Sequence, residues 1–567
     1  MQGLPAEVGA ASLAFHTTRL TVISEPAANQ PPPFEGRNLF SGDRVLQAGV
    51  AAHGAAWAND RLTAWGETLG ASSTLQLAVR ANRFGPVLMT HNRYGDRIDE
   101  VEFDPAWHAL MEMATREGEH CEPWAQPRSG AQLARAAGYL MHGEVENGSQ
   151  CPLTMSFASV PLLVRHGNAH PWIAQTWLPL ILARQYDPRT LPIQEKKAAL
   201  IGMGMTERQG GSDVRANTTR AEPAADGSYR LTGHKWFFSV PTSDAHIVLA
   251  QTAAGVSCFL VPRILEGGEH NRVLIQRLKD KLGNRSNASS EVEFAGASGW
   301  LLGEEGRGVP VIIEMVQHTR LDCAIGSAGI VRGAVAQALH HAAHRRAFGK
   351  RLAEHPLMQN VLCDLALEAE GAIWLALRLA AAFENDASPA DRALARIATP
   401  AVKFWLCKRA PMVVAEAMEV LGGNGYVEES VLPRLYREAP LNSIWEGAGN
   451  VMCLDVLRAA QRDASCIDAL AAELALARGG DARLDAHAEA LVAMLRDAPD
   501  EHQGRRIAGE IARALAAAQI VRHAPPLVAD AYCGSRFSDA YEGSLGMLQQ
   551  PVDADACRLI IERASIQ

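Results

Sequence analysis

The feature that most constrains this chain is a change of periodicity partway along it. From residue 201 to about 300, helical spacing gives way to short runs rich in Val, Phe and Ile at residues 246–251, 257–261 and 291–294. Gly, Asp, Asn and Pro separate these runs, the mark of short strands joined by turns. Residues 37–200 read as helical, punctuated at Gly95-Asp96, Pro105 and Gly148-Ser149, with a buried helix pair over 145–164 broken at Pro152 and Pro161. Helical stretches resume at 311–315, 328–344 and 356–384, where Leu357, Val361, Leu365 and Glu368 recur near helical spacing. A further helical block follows residue 463, with Leu484, Ala488, Leu491 and Leu495 on one face and an Ala-rich stretch at 514–517. A 567-residue chain exceeds one core. We therefore expect an N-terminal extension (1–36) closed by Pro31-Pro32-Pro33, a helical domain (37–200), a β domain (201–307), a helical bundle (308–460) and an extra helical domain (461–567).

Charge and composition exclude some functions. No run of about 18 apolar residues occurs, so neither a spanning helix nor a membrane partner is expected. The ten cysteines form no CxxC pair and sit in apolar stretches, as Cys258 and Cys363 do, which suits reduced thiols in a cytoplasm. Net charge is −9, so attraction to nucleic acid would need a local patch. From residue 461 onward there are 11 Arg, no Lys and 16 acidic residues. Arg505, Arg506 and Arg513 can form a stripe there, 506 and 513 being two turns apart. The alternative is a solvated face in which Glu510 pairs with Arg506 at i+4. His340 and His344, beside His341, have ligand spacing, but no third ligand accompanies them, and plain surface histidines without a metal are expected.

Three segments carry candidate chemistry. Residues 203–213 hold Met203, Met205, Thr206, Glu207, Gly210, Gly211 and Ser212; the glycines let backbone amides converge on a ligand, and the hydroxyls can donate to it. The alternative is a surface turn entering the β domain. Residues 233–239 carry Trp236, Phe237 and Phe238 followed by Ser239, aromatics that suit a flat heterocycle with a hydroxyl at its edge, or else a strand with core aromatics. Residues 442–450 place Glu446 beside Trp445 and between small residues; burial there raises a carboxylate toward the range of a working base, unless it is an acidic turn residue.

In order and spacing these segments resemble the acyl-CoA dehydrogenases, which carry a TE-x-x-x-G-S-D loop, a K-x-W-I-T-type strand, an R-x-x-F-G-K helix end, a GG-x-G-Y/F turn and a Y-E-G-T loop. Here the last three read Arg345 to Lys350, Gly422 to Tyr426 and Trp445 to Ala448. Residues 151–155, 205–213, 236–241, 279–288 and 443–447, with the extra C-terminal helices, are similar to the AidB-like subgroup, flavoproteins of the bacterial alkylation response. The resemblance implies a mainly helical fold of N-terminal helical domain, middle β-barrel and C-terminal four-helix bundle, plus the extra helical domain. It implies FAD as cofactor, an acyl-CoA thioester as substrate, a homotetramer, and a link to double-stranded DNA through Arg458, Arg505, Arg506 and Arg513. It leaves the electron acceptor unnamed. By position, Met203, Met205, Thr206, Gly211, Ser212, Phe237, Phe238 and Ser239 would meet the flavin. Arg345, Phe348, Gly422 and Gly423 would grip FAD from a neighbouring subunit. Ile444, Trp445, Gly447, Ala448, Asn450 and Leu454 would pass it, and Glu446 would be the catalytic base. Some relatives place the base just before the position of Arg320; Thr319 stands there, so Glu446 has no rival. Trp445 and Ala448 depart from the usual Tyr and Thr, which lowers the efficiency expected; the subgroup resemblance implies weak dehydrogenation of short or branched thioesters, or a DNA-protecting flavoprotein with little turnover.

Overall fold

The computed structural model describes residues 29–167, 170–538, 544–548 and 554–566; most of the expected N-terminal extension lies outside them. The first helical region contains α1 (Arg44–Ala52), α2 (Ala131–Val145) and α3 (Gln150–His166). Between α1 and α2 the chain also forms a hairpin, β1 (Val87–His91) and β2 (Arg97–Glu102), where helix was expected. Along β2 only Asp99 and Val101, two residues apart, are buried, a period that helix cannot satisfy. At the turn, the Asn92 side-chain oxygen accepts the Tyr94 and Asp96 amides, and Gly95 takes φ +88°. The break expected at the prolines of α3 does not occur. Pro152 lies in the first turn, where no intrahelical amide bond is lost. The Phe157 carbonyl, which an amide at Pro161 would have bound, accepts the Trp124 indole N–H at 3.0 Å instead.

The middle of the chain forms β3 (Ile201–Gly204), β4 (Arg220–Pro223), β5 (Tyr229–Ser239), β6 (Ala245–Thr252), β7 (Gly255–Pro262), β8 (Val273–Leu278) and β9 (Ser289–Leu302). Strand order is β3-β6-β4-β5-β9-β7, with β8 on β9, and a further β6–β7 pairing closes the sheet into a barrel. Closure leaves an interior filled by Leu231, Phe238, Val248, Phe259 and Phe294. One charged pair lies among them: the Lys235 ammonium is 2.8 Å from the Glu207 carboxylate, both side chains fully buried. The pair survives because its remaining bonding capacity is met. Lys235 also donates to the Leu249 carbonyl, and Glu207 accepts from the amides of Thr218 and Thr219.

The two helical pieces expected after residue 309 are one 37-residue helix, α4 (Gly308–His344). It packs on α2, α3, α5 (Pro356–Ala381) and α6 (Pro389–Val420). The crossing with α2 requires glycine: a Cβ on Gly329 would lie 2.3 Å from the Leu140 carbonyl. Beyond these come α7 (Gly449–Arg462), α8 (Ala464–Ala475), α9 (Ala482–Arg496), α10 (Gly504–His523), α11 (Pro526–Arg536) and α12 (Ala554–Ala564). They are not a separate block. One core runs from Leu39 to Ala564, and Leu484, Leu491 and Leu495 are buried in it as their spacing predicts. His523 of α10 stacks on Trp374 of α5 at 5.2 Å, and Arg378 of α5 meets Glu473 of α8 at 2.7 Å. Leu357, at the start of α5, is 86% exposed and outside this core. No helix of the described residues is long and apolar enough to cross a membrane.

Replacing Lys235 by Met strands the Glu207 carboxylate in the barrel. The expected cost is about 3–5 kcal/mol, read from urea unfolding curves; a loss under about 1 kcal/mol would show that the pair is dispensable.

Candidate active site

The aromatic strand β5 does not alternate simply. Lys235 pairs with Val292 and Phe238 with Ser290, so three steps on β5 match two on β9. This bulge lets Lys235 and Phe238 both point inward and turns Trp236 and Phe237 out. Phe237 is 52% exposed, with the Lys279 ammonium 4.6 Å from its ring centre and 3.8 Å from that of Trp236. The bulge corrects the expectation for Phe238. Its ring is 1% exposed, stacks on His246 at 3.8 Å and cannot line a ligand. The Ser239 hydroxyl lies within hydrogen-bond reach of the Cys151 thiol of α3.

The loop after β3 is fixed by its own carbonyls. Thr206 accepts the Trp236 amide, and Met205 accepts the Asn217 side-chain amide, each at 2.8 Å. A Cβ on Gly211 would sit 2.4 Å from the Thr206 hydroxyl, so glycine lets the loop fold over it. Ser212 is exposed on that loop. Met203 and Met205 join Cys151 and Met155 of α3, Met315 and Val316 of α4, and Trp445 in one apolar cluster.

Glu446 stands beside this cluster in an unusual backbone. Its φ is +57° and that of Gly447 is +105°; a left-handed non-glycine residue costs roughly 1–3 kcal/mol and persists only where its surroundings impose it. They do so through three successive carbonyls. The buried Lys403 ammonium of α6 donates to the carbonyls of Trp445 and Gly447, both at 2.8 Å, and Arg320 of α4 donates to that of Glu446 at 2.9 Å. Asp455 holds Arg320 at 2.9 Å. The Trp445 indole donates to Asn442, which donates to Ser327 at 3.1 Å. One Glu446 carboxylate oxygen accepts the Thr319 hydroxyl at 2.7 Å. Burial pushes this carboxyl above its ordinary value, while the Thr319 bond and the charges of Lys403 and Arg320 pull it partly back. The result is a carboxylate with raised proton affinity, next to thioethers and an indole.

The remaining candidates fall in two groups. Ile444 and Ala448 are exposed on the same loop, Leu454 is half-buried on α7, and the Asn450 side-chain oxygen accepts from Arg505 at 2.8 Å. Arg345 and Phe348 lie past the far end of α4, on the hairpin β10 (Arg346–Ala347) and β11 (Lys350–Arg351), where Phe348 is 97% exposed. Asn29 bonds Arg346 and Gln30 bonds Asn424, so residues 29 and 30 join this hairpin to the exposed Gly422-Gly423 turn. Arg345 is 26 residues beyond Thr319 along one helix, roughly 39 Å at 1.5 Å per residue. This second group is therefore remote from Glu446 within one chain.

Among the basic candidates, Arg458, Arg505 and Arg506 are exposed. Arg513 is not available to a phosphate: it bonds Glu510 at 2.7 Å and the Arg536 carbonyl at 3.0 Å. Glu510 also lies 3.8 Å from Arg506, the i+4 pair foreseen in the sequence. His340 stacks on Phe34 and donates to the Pro32 carbonyl, and His344 donates to the His340 carbonyl. Sequence reasoning missed Lys403. Its only signal was a lone Lys inside the apolar run Ala401-Val402-Lys403-Phe404-Trp405-Leu406.

Comparison with known proteins agrees with this layout. Residues 29–188 match the N-terminal domain of the adaptive response protein AidB, 202–297 the acyl-CoA dehydrogenase middle domain, and 306–461 the acyl-CoA dehydrogenase C-terminal domain. AidB of Escherichia coli (strain K12) is 49% identical over 506 residues, 89% of this chain and 93% of that protein. The crystal structure of ACDH-11 from Caenorhabditis elegans in complex with C11-CoA superimposes with a TM-score of 0.82 at 25% identity, covering 92% of this chain and 95% of that one. The apo form of Bd2924 gives 0.78 at 29% identity, covering 87% and 99%.

Thr319→Val removes a hydrogen bond that favours the charged form of Glu446. The carboxyl is expected to titrate still higher, followed by its protonated stretch in infrared difference spectra against Glu446→Gln; an unmoved titration would assign the bond no electrostatic role.

Proposed function

The chain belongs to the acyl-CoA dehydrogenase family as an AidB-like member, and from that premise we propose that it binds FAD and dehydrogenates a short or branched acyl-CoA between its α and β carbons, with Glu446 as base. The observation that carries this reading is Glu446 itself: a carboxylate of raised proton affinity, held by imposed backbone strain beside an apolar cluster, at the family's base position. The residues fit a flavin. Phe237 presents a half-exposed ring, Met203, Met205 and Trp445 an apolar border, Ser239 a hydroxyl, and the Thr206–Ser212 loop further hydroxyls.

When bound, FAD supplies a two-electron acceptor for the β-hydride. The chain does the rest. Glu446 takes the α-proton, a step that requires the charged carboxylate, so activity falls as pH drops through its raised value. The Glu446 amide, which has no acceptor among the described residues, is free to donate to the thioester oxygen as charge develops there. The bulky Trp445 narrows the approach and supports slow turnover on small acyl groups.

The roughly 39 Å between the two groups of cofactor candidates is bridged if a second copy contributes Arg345, Phe348 and the Gly422-Gly423 turn. Phe348, Leu357 and Tyr426, at 97%, 86% and 80% exposure, are the surface such a copy would cover, in a homotetramer. Ten buried free thiols suit a cytoplasmic protein. A DNA-binding role with little turnover is the second reading; it rests on the exposed Arg458, Arg505 and Arg506.

Anaerobic titration of the purified holoprotein with a panel of acyl-CoAs is expected to bleach the flavin with a short or branched thioester. Glu446→Gln should slow bleaching by about 10³-fold or more; a flavin indifferent to every thioester would end the enzymatic reading. Light scattering is expected to report four copies, and Arg345→Ala with Phe348→Ala to lose flavin and assembly together. If DNA is bound, retention of duplex falls steeply with salt and drops in Arg505→Ala/Arg506→Ala; salt-independent or unchanged retention rejects the second reading.

A further inference from the structure

Lys403 sits in the middle of α6 at 1% exposure, between residues of the apolar core. An ammonium in such a place is costly unless its donors are met. Among the described residues no carboxylate forms an ion pair with it; two of its donors go to the carbonyls of Trp445 and Gly447, at 2.8 Å each. Arg320 takes the carbonyl between them, at 2.9 Å. Two cations on two helices thus grip three successive carbonyls around Glu446. In a planar trans peptide the N–H of each residue points opposite to the preceding C=O. Fixing the Trp445 carbonyl therefore fixes the Glu446 amide in the reverse direction, and fixing the Gly447 carbonyl does the same for the Ala448 amide. The left-handed backbone at Glu446 then turns its carboxylate to Thr319.

We infer that Lys403 is a positioning residue: by holding the Trp445 and Gly447 carbonyls on the back of the loop, it aims the Glu446 amide and carboxylate together at the thioester. This rests on the reading of Glu446 as the base. Lys403 also sets the field at that base. The groups that face Glu446 are Thr319, Arg320 and Cys323 on α4, Lys403 on α6 and Cys151 on α3, with Asp455 of α7 behind Arg320. Removing the Lys403 charge leaves Arg320, already bonded to Asp455, as the cation favouring the carboxylate among the described residues.

The test compares wild type, Lys403→Met, Lys403→Gln and Glu446→Gln as purified holoproteins. Hydrogen–deuterium exchange over residues 441–452 is expected to rise about tenfold or more in Lys403→Met, with the rest of the chain protected as in wild type. With the thioester that bleaches the wild-type flavin, kcat should fall about 100-fold while KM moves less than about threefold. The acid limb of the kcat profile should shift to higher pH, which a merely structural lysine would not produce. Lys403→Gln, which keeps a donor but loses the charge, is expected to shift the acid limb as Lys403→Met does with a smaller rise in loop exchange, and it decides the matter by the same criteria should Lys403→Met not fold. Loop exchange and an acid limb both equal to wild type would overturn the inference while leaving the base reading intact. A loosened loop in Lys403→Met, together with a wild-type flavin that no thioester bleaches, would uphold the clamp and end the base reading instead.

Discussion

The uninterrupted helix α4 is the constraint on which the site depends. Its first turns share an apolar cluster with β3 and Trp445, its middle carries Thr319 and Arg320 to Glu446, and its far end delivers Arg345 to an exposed hairpin. A rigid rod of that length holds Glu446 in one place and the hairpin in another, and the pair cannot serve one ligand within one chain. Close approach to α2 at Gly329 fixes the rod sideways, because a single added carbon there would strike backbone. Small changes in the packing of α4 are therefore changes in the geometry of Glu446.

Near the site, three buried cations are turned at least partly against backbone. Lys235 inside the barrel binds Glu207 and a carbonyl, and Glu207 in turn holds the amides of the loop that follows Thr206. Lys403 and Arg320 bind carbonyls on both sides of the glutamate. In each case a cation that would be expensive alone stabilises irregular backbone that hydrophobic packing cannot orient. Both segments border the proposed flavin position, where direction matters more than burial. Strain at Glu446 is tolerated because neighbouring elements impose it.

The C-terminal helices alter what a charge count alone suggests. They share the core of the bundle instead of hanging from it, and some of their arginines are tied into it: Arg513 to Glu510 and a carbonyl, Arg536 to Asp364 and Glu368, Arg522 to Glu473. Arg505 faces the N-terminal turn of α7 through Asn450, which links this region to the end of the loop that carries Glu446.

Local patterning was enough to place the strand-rich segment between helical ones, because periods of two and of 3.6 residues bury different faces. The spacing of Leu484, Leu491 and Leu495 gave their buried face for the same reason, and Glu446 stood out because a carboxylate between Trp and glycines is chemically conspicuous. The hairpin at 87–102, the continuity of α3 through Pro161 and the inward turn of Phe238 were not legible. The last two rest on partners distant in sequence: the register against β9 for Phe238, and the Trp124 indole for the carbonyl that Pro161 leaves open. Lys403 was hidden likewise, since nothing within its helix reveals that it will meet carbonyls more than 40 residues further on. The sequence determined which residues could do chemistry; only the tertiary structure decided which way they point, because direction is set by hydrogen bonds between segments that no local pattern encodes.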